Sequence, residues 1–72
     1  MSNVTLLNSQ LETLVDRHGV LGVLSALSFI CVEKADHIAS NWQDAHLAKT
    51  WDYTASVLEK VHDKLKTRVG AI

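Results

Sequence analysis

Seventy-two residues make one domain at most, and a chain this short buries only about 60% of the surface it exposes when unfolded. Cys31 is the single cysteine, which excludes an intrachain disulfide and a thiolate zinc centre as ways to reinforce so small a core. A net charge of −1 with both signs interspersed argues against a dedicated nucleic-acid or membrane-surface binder, which leaves association as the remaining reinforcement.

With 47% hydrophobic residues the chain is too apolar for disorder, and the absence of proline with only three glycines favours long uninterrupted helices. An all-α protein is therefore expected: a short first helix and a long antiparallel helical hairpin. The N-terminal residues carry no positive region and no cleavage pattern, so they do not read as a secretory signal, and a cytoplasmic protein is expected.

The first helix is expected over 9–18. Ser9 and Glu12 are spaced as a capping box, and Leu7, Leu11, Leu14, Val15 and His18 form one face. Gly19 stands where a left-handed residue would end that helix. Ten residues do not hold a helix alone in water, so this face must dock on something.

The second helix is expected over 20–39. From Val20 to Val32 it is apolar nearly all round, relieved only by Gly22, Ser25, Ala26 and Ser28, and a helix apolar on every side needs cover on every side. The uncharged run is about 14 residues, short of the roughly 18–20 that a membrane span needs, and charge resumes at Glu33 and Lys34; no membrane is expected.

Ser40 with Gln43, or Asn41 with Asp44, marks the next boundary as an N-terminal cap, and the third helix is expected over 42–69, starting near Trp42. Its end carries Lys64, Lys66 and Arg68 with Gly70 beyond. Trp51, Leu58 and Leu65 recur every seven residues, flanked by Ala48, Ala55, His62 and Val69 on one side and by Leu47, Thr54 and Val61 on the other. This is a coiled-coil-like seam. Folding at Ser40 and Asn41 sets Ile30 near Trp51, Leu27 near Ala55, Val23 near Leu58 and Val20 near Val61.

That pairing covers about half of the second helix. Leaving even four large aliphatic side chains in water forgoes roughly 6–12 kcal/mol, as much as the stability of a small domain. A homodimer, or a homotetramer built from dimers, is expected, with Val20, Leu24, Leu27, Ile30, Trp51, Leu58, His62 and Leu65 as interface residues.

Asp16-Arg17-His18-Gly19, then Glu33-Lys34-Ala35-Asp36-His37, then Asn41-Trp42-Gln43-Asp44 resembles a pattern in short bacterial proteins, cyanobacterial ones among them, that have no established activity. The resemblance covers residues 14–61. It implies a compact cytoplasmic helical protein and carries over no catalytic residue.

Chemistry has few places to sit. Glu33 and His37 lie one helical turn apart, the spacing of two metal ligands, with His46 or Asp44 as a third across the bend. Glu33 and His37 are four apart rather than in the Glu-x-x-His spacing of di-metal bundles, and solvated polar residues are the plainer reading. Lys60, Lys64, Lys66 and Arg68 form a basic end that a DNA-associated dimeric regulator would use, though helix dipole and solubility account for it. Cys31 lies in the most apolar segment as a small hydrophobe. No phosphate loop and no Gly-x-Ser-x-Gly, Cys-x-x-Cys or His-Glu-x-x-His occurs. The expectation is therefore a binding or regulatory module for a protein partner, with no cofactor and no catalytic residue.

Overall fold

The computed structural model describes residues 3–69, which are helical almost throughout: α1 over Asn3–His37, a π-helical turn over Ile38–Trp42 and α2 over Ala45–Val69. Gly19 divides α1 into two arms, 3–18 and 20–37. Its φ of 77° and ψ of 161° lie in a region that essentially only glycine enters, so the axis turns sharply there while helix resumes at once on the far side.

The first arm begins at Asn3, earlier than the expected cap at Ser9. Nothing between Asn3 and Ser9 breaks a helix, and Ser9 sits inside it, its carbonyl accepting from the Thr13 hydroxyl at 3.1 Å as well as serving the backbone. A capping box is only a local option, and here the helix runs through it.

The bend also differs in detail from expectation. α1 widens into the π turn, and Asn41 Nδ2 donates to the His37 carbonyl at 3.0 Å while lying 3.2 Å from His37 Nδ1. Asn41 thus serves the end of α1 rather than the start of the next helix. Gln43 then takes a left-handed conformation (φ 54°, ψ 32°), the usual device for stopping a helix. Asp44 caps α2: its carboxylate accepts from Leu47 N at 3.0 Å and its carbonyl from Ala48 N at 3.0 Å. The last helix therefore starts at Ala45, three residues beyond the expected start near Trp42. Lys66 and Arg68 occupy its last turn as expected, while Gly70 lies outside the described residues.

The second arm and α2 pack as an antiparallel hairpin, and its seam is made of small side chains. Ser28, Cys31 and Ala35 on α1 and Ile38 at the start of the π turn are buried, as are Ala48 and Ala55 on α2. Ser28 Oγ donates to the backbone carbonyl of Ala55 at 3.2 Å and lies 3.4 Å from Glu59 Oε1, so a one-carbon side chain reaches the other helix's backbone. Trp51, Leu58, His62 and Leu65 are half-buried along the edge of the seam.

The register about the bend is close to the expected one, since Ile30 and Trp51 line a common groove. The rotation of α1 is not. Leu27 and Ile30, expected against Ala55 and Trp51, remain 40% and 45% exposed, and Ser28 takes the place opposite Ala55. Small residues let the axes approach, and the gain in close contact along the whole seam outweighs burial of a few large side chains in one chain.

The molecule is a slab of 38 × 37 × 15 Å, barely more than one helix thick. Its radius of gyration of 14.4 Å exceeds the roughly 11 Å of a compact chain this long.

Candidate interaction surface

The turn at Gly19 brings two apolar stripes face to face. Leu11, Leu14 and His18 recur at helical spacing on the inner edge of the first arm. Val23, Ala26, Leu27 and Ile30 do so on the second. Between them lies an open notch of about 450 Å³ with almost wholly apolar walls. Gly22 also lines it, where a Cβ would come within 3.2 Å of the His18 Cβ, so a side chain there would require His18 to shift by a few tenths of an ångström. Leu7 extends the first stripe outward; it is 51% exposed and Leu14 43%.

On α2, Leu47, Val61 and the edges of Trp51 and Leu58 continue this side of the slab beside the second arm. The other side is mixed. There Phe29 and Val32 stand exposed next to Glu59, His62 and Asp63, around a smaller groove of about 370 Å³. His62 Nδ1 lies 3.2 Å from Asp63 Oδ1, but that carboxylate is 80% exposed and the pair is well solvated.

At the bend, a groove of about 640 Å³ runs between Ile30, Glu33, Lys34, His37, Ile38 and Trp51. Lys34 Nζ lies 5.7 Å from the Trp51 ring centroid, a cation–π contact that holds the indole against the hairpin. The metal candidates Glu33 and His37 share this groove, but His46 is not part of its walls. Among the described residues no group of three or more His, Cys, Asp or Glu side chains is placed to hold a metal ion.

Lys60, Lys64 and Arg68 are exposed along one stripe of α2, at i, i+4 and i+8, while Lys66 is exposed on another face. Cys31 is buried in the seam.

Of the residues expected in packing interfaces, Val20, Leu24, Trp51, Leu58, His62 and Leu65 are partly covered within the chain, whereas Leu27 and Ile30 face the notch. The first arm's apolar face was expected from the sequence, but its place across a notch from the second arm was not. The signal for that face was the spacing of Leu7, Leu11, Leu14 and His18 ahead of a glycine.

By length and composition alone, one helical stretch, 5–41, is apolar enough to cross a membrane; its most apolar 18 residues have a mean hydropathy of 1.5, and 11% of them are buried. Compared with family models, curated proteins and solved structures, the chain finds no match.

Proposed function

We propose that this chain is a small self-associating helical module, a homodimer or a tetramer of dimers, that acts by binding a protein partner rather than by catalysis. The observation that carries this reading is surface area. The chain exposes 5718 Å², whereas a compact monomer of 8.0 kDa exposes about 4,500 Å². The difference is larger than the roughly 800 Å² that each partner contributes to a stable interface of ordinary size. Exposed large hydrophobic side chains include Leu7, Leu14, Leu27 and Ile30 on the notch side, besides Leu6, Phe29 and Tyr53, and contiguous apolar patches mark interaction sites.

Under this reading the molecule works in the cytoplasm. The uncharged run 19–32 is about 21 Å long as helix, against roughly 30 Å of hydrocarbon. The turn at Gly19 interrupts the helix that would have to cross, and the charged helix α2 packs along it.

Size-exclusion chromatography with light scattering tests the proposal. A dimer or tetramer is expected at micromolar concentration, and Leu27→Asp, which puts a charge on the notch wall, should shift it to monomer. A wild-type chain that stays monodisperse and monomeric across that range sinks the reading.

A further inference from the structure

Building on the self-association reading, we infer that the notch at Gly19 is filled by the first arm (3–18) of a second copy, each chain's arm lying on the other's second arm about a two-fold axis. Each chain carries two apolar stripes, Leu7–Leu11–Leu14 and Val23–Leu27–Ile30, and the backbone at Gly19 holds them apart with a gap between. Neither stripe can close on the other without losing that turn. A two-fold axis beside the turn makes one contact twice, arm on hairpin and hairpin on arm, and so covers both stripes with one interface. Pairing arm with arm would instead leave the notch unfilled.

Three further features fit a second copy as the occupant. The walls carry no carboxylate, lysine or arginine, and a net charge of −1 leaves little repulsion between copies. Arg17 and Lys34 are the basic residues beside the two stripes, fewer than the Lys- and Arg-rich face by which amphipathic helices hold an anionic lipid surface. The slab is a single helical layer 15 Å thick, and two such layers make the two-layer architecture in which helical domains bury their apolar faces.

The test uses complementary charges in the full chain. Leu14 and Leu27 are 43% and 40% exposed, so charge at either is tolerated by the single chain, which circular dichroism checks. Leu14→Lys and Leu27→Glu should each weaken self-association by at least about 100-fold, because each places an unpaired charge in an apolar contact. Mixed one to one, they should form a heterodimer in which the two charges pair in one contact and the other contact is wild type.

A second measurement uses the Cys31→Ser background. There, an equimolar mixture of Leu14→Cys and Leu27→Cys chains should oxidise to a disulfide-linked heterodimer at least about 10-fold faster than either variant links to itself. A wild-type dimer whose variants associate undiminished, or whose mixture neither recovers nor cross-links, overturns the arm exchange while leaving self-association standing. A wild-type monomer overturns both. A monomer that floats with phosphatidylcholine vesicles would put an acyl surface in the notch instead.

Discussion

Asp44 does two jobs within three residues: its side chain accepts one free N–H of α2, and its carbonyl accepts the first intrahelical bond. Because the preceding residue, Gln43, is in a left-handed conformation that side chains other than glycine and asparagine adopt at some cost, the cap must hold the turn in place. Asp44→Ala should therefore lower stability by about 1 kcal/mol, read as a drop in the thermal midpoint, while Asp44→Asn keeps most of it. The capping chemistry of this bend was legible in the sequence, down to the candidates Ser40, Asn41, Gln43 and Asp44. Their assignment was not. Asn41 can cap the next helix or close the one before it, and only the π-helical widening of α1 decides that its amide turns back to His37.

For the helical elements, the hairpin itself could be read from the apolar run, the polar break and the heptad of Trp51, Leu58 and Leu65. The side of α1 that enters the seam could not. Ranking residues by hydrophobicity points Leu27 and Ile30 inward, yet the hairpin closes on Ser28, Cys31 and Ala35, where the cross-section is smallest. Hydrophobicity scales value each side chain alone, whereas packing values how near two backbones can come. The contact between Ser28 Oγ and the Ala55 carbonyl measures that nearness. Ala55→Leu, although more apolar, should therefore destabilise the hairpin by about 1–3 kcal/mol through overpacking. Chemical denaturation that shows Ala55→Leu as stable as wild type would mean that the seam has room to spare.

At the scale of the whole molecule, the surplus of apolar side chains was readable from composition: an all-round apolar helix in a short chain. The shape that exposes them was not. Gly19 read as a stop between two helices, and its sign of φ agrees with that. Its ψ of 161° decides that the arms splay into a notch instead of folding back, so the first helix adds apolar surface where it was expected to cover some. Local propensity marks where a chain can turn; the direction of the turn depends on a single torsion.

The burial of Cys31 gives the hairpin a built-in clock. Only 6% of that residue is accessible, and it lies in the middle of the seam, so a thiol reagent reaches it only when the two helices part. Its rate of alkylation counts openings, and openings are rarer in whatever form of the protein is more stable. If the slab is half of an assembly, alkylation should slow as protein concentration rises through the dissociation constant; a rate independent of concentration would show that the hairpin opens without regard to a neighbour. The least exposed apolar segment would then report on events at the most exposed one.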